Sequence, residues 1–298
     1  GKPPSSNTYT SPLEKGDHPE LDTTDFLDDD GQQQYQSLIG SMQWAISLGR
    51  FDISVAVMTL SAFRAIPRQG HLERAKRVYC YLAKMRHSTI RVRTDEPDYS
   101  GLPEQDNDWT YTAYGNVKEQ LPHDLPPALG NYVTLTHYFD ANLYHDLLTG
   151  RSVTGFLHFL NQTPIDWYAK KQATVETATY GSEFVAARTC IEQVMDRTTL
   201  RYLGVPIRQK SYVFGDNKAM IDSAATPHAK LHKRHTALSW HRVREAIAAG
   251  VAVIYHVRSE ANPADILSKH WGYSQVWDLL KPILFWKGNT MEIVDAAT

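Results

Sequence analysis

The sequence predicts an α/β domain built on a mixed five-stranded sheet with flanking helices, preceded by a small helical segment. Three observations predict it. Apolar residues recur with a helical period over about 31–94 and with strand alternation after about 131. A stretch rich in Pro, Gly, Asp and Asn, residues 95–131, separates the two patterns and reads as a linker. Beyond it the elements run as three strands in a meander, then helix, strand, helix and strand, with a last helix to follow.

The elements follow in order. Residues 1–30 are polar, end in the acidic run Asp28, Asp29, Asp30, and read as an exposed connector. Tyr35, Leu38, Ile39, Met42 and Ile46 fall at i, i+3, i+4, i+7 and i+11, one face of a helix. Asp52 is placed to cap a second helix carrying Ile53, Ala56, Leu60 and Phe63, which should stop near Pro67. "GHLERAKRVYCYLAKM" makes a third helix, burying Leu72, Ala75, Val78 and Leu82. Residues 31–94 thus form a small packed helical platform, and 132–298 the sheet domain. Within the latter, "YVTLTHYFD" reads as a strand ending at Asp140, with "TGFLHFLN" and "TPIDWYAKK" as its neighbours. "SEFVAARTCIEQVMDRTTLRYL" is a long helix, "SYVFGD" a strand, "NKAMIDSAAT" a short helix, "HTALSWHRVREAIAAG" a helix and "VAVIYHV" a strand. "NPADILSKH" should open the last helix, with Pro263 near its N-terminus. Trp277, Leu280, Ile283 and Phe285 suggest a packed C-terminal segment.

Composition narrows the function classes. With 42% hydrophobic and 21% charged residues, the chain of 298 has an ordinary globular balance. No apolar run approaches the ~20 residues that span a bilayer. The start lacks both the apolar stretch of a signal peptide and an initiator Met, so it reads as an internal fragment. Cys80 and Cys190 match no metal-ligand spacing, and a reducing compartment is the default. A net charge of −2 argues against a strongly basic nucleic-acid binder. The average conceals an asymmetry: residues 1–130 hold 13 Lys+Arg against 18 Asp+Glu, and 131–298 hold 18 against 15.

Four acids of the second region fall at element ends or helix starts: Asp140, Glu183, Asp216 and Asp265. In an α/β sheet, parallel strand ends and neighbouring helix N-termini share one edge. Carboxylates gathered there repel unless cations neutralise them, and hard oxygen ligands suit Mg²⁺, or Mn²⁺ in its place. Each acid alone also has an ordinary role. Asp216 can cap a helix, Asp140 can be a turn residue, and Glu183 and Asp265 can answer a helix dipole. Spacing does not separate the quartet from Asp146, Asp166, Asp222 and Glu176, which read as surface acids.

A resemblance does separate them. "YQSLIGSMQWAISLGRFDISVAVMTLSAFRAIPRQGHLERAKRVYCYLAK" resembles the helical segment downstream of the polymerase in copia-type retrotransposon polyproteins. The matching positions are Tyr35 through Gly40, Arg50-Asp52-Ile53, Leu60-Ser61-Phe63 and His71 through Arg77. "TGRSVTGFLHFLNQTPIDWYAKKQATVETAT", then "GSEFVAA", "GDNKAMI", "HRVRE" and "ANPADILSK", resembles that family's ribonuclease H domain, in the family's order. The similarity covers roughly residues 35–90 and 137–270.

The resemblance implies a ribonuclease H-like fold with Asp140, Glu183, Asp216 and Asp265 as the catalytic set. It implies two Mg²⁺ ions (Mn²⁺ as substitute), with Asp140 bridging both, Glu183 and Asp216 completing one site and Asp265 the other. The implied reaction is hydrolysis of the RNA strand of an RNA–DNA hybrid. The implied partner is an upstream reverse transcriptase polymerase domain, and the implied location a cytoplasmic retrotransposon particle or the nucleus. The chain itself has no "YxDD"-type polymerase signature. It departs from the family at Gly181, where a second Glu is common, and in the turn "ANLYHD" after the first Asp. A hybrid-binding scaffold without catalysis, or a domesticated nuclease of the same fold, are the alternatives. Lys170, Lys171 and Gln172 at a strand end are candidates to meet phosphates, as are Lys233, Arg234, His235, His241 and Arg242 around a helix start. A solvated strand edge and a solvated helix face are the plainer readings of the same groups.

Overall fold

The computed structural model describes residues 9–105, 107–194, 197–207, 210–231 and 233–284. Five strands form one sheet in the order β3-β2-β1-β4-β5. They are β1 (Leu135–Asn142), β2 (Val153–Leu160), β3 (Thr163–Lys171), β4 (Ser211–Gly215) and β5 (Ala252–His256). The first three form an antiparallel meander, while β4 joins β1 and β5 in parallel. This is the mixed five-stranded α/β architecture expected from the sequence. Parallel pairing puts the C-terminal ends of β1, β4 and β5 on one edge of the sheet.

Two layers cover the sheet. On one face, β1 and β2 present the opposed pair Phe139 and Phe156, which pack against α4 (Thr179–Val194), α6 (Lys218–Ala225) and α7 (Ala237–Ala248). A short helix, α5 (Arg197–Tyr202), follows α4. On the other face, Leu157 and Phe159 join the cluster formed by α1 (Asp29–Ser47), α2 (Ser54–Ser61) and α3 (Gln69–Lys84). Tyr35, Ile39 and Met42 of α1 and Leu72, Ala75 and Val78 of α3 are buried in it, as their helical spacing predicts. The C-terminal helix α8 (Tyr273–Leu280) closes the same cluster through Val276, Trp277 and Leu280, with Ile283 after it. Phe285 lies outside the described residues. Among the described residues no helix is long and apolar enough to cross a membrane.

Asp52 does not cap α2. It is 1% exposed inside a single 3₁₀ turn, Phe51–Ile53. There it accepts from Arg50 at 2.8 Å and from the Tyr81 hydroxyl at 2.7 Å, so a buried charge is paired and hydrogen-bonded. Residues 9–28 lie on α3, where Arg74 pairs with Asp17 at 2.9 Å and Asp22 at 2.6 Å. The described residues of 95–131 carry no helix or strand but are anchored. Tyr99 packs on Tyr212 and Phe214, Trp109 and Tyr114 lie against the Arg244 guanidinium, and Glu119 pairs with Arg197 and Arg201.

Two differences matter for the site. Helix α4 begins at Thr179, earlier than the sequence suggests, which puts Glu183 beyond its first turn. The stretch expected to open the last helix at "NPADILSKH" is instead a 3₁₀ turn, Pro263–Leu267, and the last described helix begins only at Tyr273. Asn262 fixes that turn: buried, its amide donates to the Phe139 carbonyl at 2.9 Å and its side-chain oxygen accepts from Ala264 N–H at 3.1 Å. The turn can lie on the sheet because residue 155 is glycine. A Cβ at Gly155 would stand 2.6 Å from the Leu267 carbonyl carbon.

Candidate active site

Asp140 is the sixth residue of β1, opposite Gly155, and is 1% exposed. Asp216 follows Gly215 at the end of β4. The cap of α6 is Asn217, whose side chain accepts from Met220 N–H at 3.0 Å, so Asp216 is released from the capping role open to it in sequence. Glu183, 4% exposed, reaches the same spot from α4. One carboxylate oxygen from each of Asp140, Glu183 and Asp216 lies within 4.8 Å of the other two. The fourth predicted acid, Asp265, is not in that group among the described residues. It stands on the 263–267 turn, in contact with the Lys269 ammonium, which also lies 3.3 Å from Asp140.

The electrostatics follow from burial. Loss of solvent pushes the Asp140 carboxyl up to about 6; the charges of Asp265 and Asp216 add to that push, and Lys269 and the Ser268 hydroxyl oppose it. Burial, then the charges of Asp140 and Asp216, hold Glu183 well above the usual carboxylate range. The Asp216 carboxylate accepts from Ser259 Oγ at 2.6 Å, and Asp140 accepts from Ser268. Glu183 Oε2 is buried and has no hydrogen-bond partner. An orphaned buried carboxylate oxygen costs stability unless something binds it. Three converging carboxylate oxygens, with a buried Glu183 oxygen left unpartnered, fit a hard divalent cation such as Mg²⁺ or Mn²⁺.

The expected phosphate-binding groups divide. Lys170, Lys171, Gln172 and His235 line one cleft of about 400 Å³, together with Arg188 of α4. Lys170 is exposed, whereas Lys171 is drawn onto Asp146. Gln172 is a correction: it is buried, and its amide donates to Thr154 Oγ1 at 3.0 Å and to the Ser182 carbonyl at 2.9 Å. It ties the end of β3 to α4 and has no donor left for a phosphate. Asp146 and Glu176, read as surface acids, are also buried, Asp146 by its ion pair with Lys171 and Glu176 at 3.1 Å from His235. Lys233 is half-buried and Arg234 exposed beside them. His241 is exposed but engaged by the Tyr114 hydroxyl, and Arg242 pairs with Glu245 at 2.9 Å.

Sequence reasoning missed Lys269, Ser268, Asn262 and Gly155. Only Lys269 left a readable signal, since a Lys four residues after an Asp often faces it.

No family model matches the chain. It is similar to the retrovirus-related Pol polyprotein from transposon RE1 of Arabidopsis thaliana, 27% identical over 237 residues, 79% of this chain and 14% of that protein. It is likewise similar to the Pol polyprotein from transposon TNT 1-94 of Nicotiana tabacum, 25% identical over 237 residues, covering 79% of this chain and 15% of the other. The chain therefore spans only about a seventh of the length of these relatives. Among solved structures, the N-terminal RNase H domain of a Mycobacterium tuberculosis protein, fused to maltose-binding protein, aligns with 46% of this chain and 91% of its own. Its TM-score is 0.37 and its identity 12%.

Proposed function

We propose that this homologue of transposon Pol polyproteins is a metal-dependent endonuclease that hydrolyses the RNA strand of RNA–DNA hybrids. In that reading it is the ribonuclease H part of a copia-type polyprotein and works beside an upstream polymerase domain. The observation that carries the reading is the meeting of Asp140, Glu183 and Asp216 within 4.8 Å, with a buried Glu183 oxygen left unpartnered.

Asp140, Glu183 and Asp216 would hold a divalent ion. Such an ion, when bound, lowers the pKa of a water for attack at phosphorus and steadies the leaving oxygen. The chain's own contributions are distinct from that chemistry. Ser268 and Ser259 fix the carboxylates of Asp140 and Asp216 by hydrogen bonds, so the site is ordered before anything binds. Exposed Lys170 and Arg234 and the cleft beside His235 offer cationic groups to a phosphate backbone. RNA is distinguished from DNA by its 2′-hydroxyls, which a shallow minor groove displays.

The test is cleavage of a labelled hybrid in Mg²⁺ against EDTA, with Asp216→Asn alongside. Asp216→Asn should abolish Mg²⁺-dependent cleavage while retaining the wild-type circular dichroism. Undiminished cleavage by that variant refutes the assignment.

A further inference from the structure

We propose that Lys269 is an internal counter-cation that holds the Asp140–Asp265 edge of the site and competes there with a second divalent ion. The inference rests on the metal-dependent reading above and adds a control built into this chain. The four acids do not behave alike. Three converge as a ligand set, whereas Asp265 is engaged by an ammonium. Lys269 lies four residues after Asp265, and its backbone N–H donates to the Asp265 carbonyl at 3.2 Å. Both side chains therefore leave the turn on the same side. The Lys269 ammonium touches Asp265 Oδ1 and lies 3.3 Å from Asp140 Oδ2, the same oxygen that Ser268 engages.

Charge counting gives this geometry its consequence. Four carboxylates, one ammonium and one divalent ion leave a single net negative charge. A second divalent ion would make the site net positive for as long as the ammonium stayed. It would also need Asp140 and Asp265 oxygens that the ammonium now occupies. Lys269 has a way out: its side chain is 36% exposed, while that of Asp140 is 1% exposed. Its flexible four-carbon stem lets the ammonium swing into water without disturbing the turn. The ammonium's contacts fall on Asp265 and on Asp140, which both positions share, so its removal should favour the first ion too, but less than the second, which depends on both contacted carboxylates. Lys269 is thus a positioning residue that ranks the two cation positions.

The experiment counts Mn²⁺ ions bound per chain, by electron paramagnetic resonance and calorimetry, on the full chain. Wild type should bind one Mn²⁺ tightly and a second at least tenfold more weakly. Lys269→Met, which keeps most of the aliphatic stem, should tighten the second ion at least tenfold. Lys269→Arg, which keeps the charge, should restore the wild-type ranking. In EDTA, Lys269→Met should melt below wild type, and saturating Mn²⁺ should close or reverse that gap. An unchanged second affinity in Lys269→Met, or a gain shared by Lys269→Arg, overturns the proposal. Asp216→Asn separates the two levels of the argument. If it leaves the first ion's affinity intact, the three-carboxylate site itself fails. If it weakens that ion while Lys269→Met changes nothing, only the role given to Lys269 fails.

Discussion

Gly155→Ala tests how closely the fold and the site depend on each other. The added Cβ would stand 2.6 Å from the Leu267 carbonyl carbon, 2.8 Å from its oxygen and 2.9 Å from its Cβ, where ordinary contact begins at 3.4 Å. The obstacle is backbone, so strand β2 or the 263–267 turn has to move by about 0.8 Å, a strain of the overpacking kind that costs about 1–3 kcal/mol. The turn carries Asp265, and Ser268 and Lys269 follow it directly, so the displacement passes straight to three groups around Asp140. A misplacement on the order of 1 Å costs roughly 10²-fold in rate. Urea denaturation and single-turnover cleavage of a labelled hybrid in Mg²⁺ read the two effects. Gly101→Ala is the control, since nothing lies within 4 Å of its added Cβ. A Gly155→Ala protein with the wild-type midpoint and cleavage within twofold of wild type would refute the reasoning.

Acid should weaken the fold through its buried histidines. Burial pulls His145 down to about 4 and His158 to about 3. Their folded pKa values lie below the unfolded ~6.5, so the stability they allow is intact above pH 6.5 and declines as pH falls toward those values, by about 2 kcal/mol each at pH 5. Asp140 and Glu183 work in the opposite direction, their raised carboxyls favouring the metal-free fold as pH falls, but His270, pulled to about 3, and His137, pulled well below its usual value by burial, add to the loss. The urea midpoint in EDTA should therefore drop between pH 7.5 and 5, and a rise would count against the burial argument. On the cleft, Lys170→Ala should weaken hybrid binding in EDTA and reduce its salt slope by about 1. Gln172→Ala should leave that slope unchanged and lower the melting temperature, because Gln172 joins β3 to α4. Anisotropy titrations at several salt concentrations, beside thermal melts, distinguish the two.

Much of the sheet was legible in the sequence because its strands alternate and its turns carry Gly, Asn and Pro. The meander of β1 to β3 and the strands β4 and β5 lie where the alternation put them. The errors have a common physical source. Asp52 has the position of a cap, yet Arg50 and Tyr81 compete for it from within the fold, and only tertiary structure brings Tyr81 there. "PADIL" has helical chemistry, but docking on Gly155 and the hold of Asn262 keep it to one tight turn. Gln172 looks like a phosphate ligand in a basic stretch, and its burial appears only once α4 packs on β2 and β3. For the acids, position at element ends supplied candidates, and only the resemblance chose Asp140, Glu183, Asp216 and Asp265 among them. The unequal treatment of Asp265 depends on Lys269, whose i+4 spacing hints at the pair with Asp265 but not at its second contact with Asp140.

The turn from Pro263 to Leu267 faces two ways. Ile266 and Leu267 are buried among the side chains of α1 to α3, while Asp265, the residue before them, holds the ammonium beside Asp140. A push on the helical layer therefore reaches a carboxylate of the proposed metal site after crossing one peptide bond. That layer works as a lever as much as a support, and whatever leans on its outer surface has a short mechanical route to the clustered carboxylates.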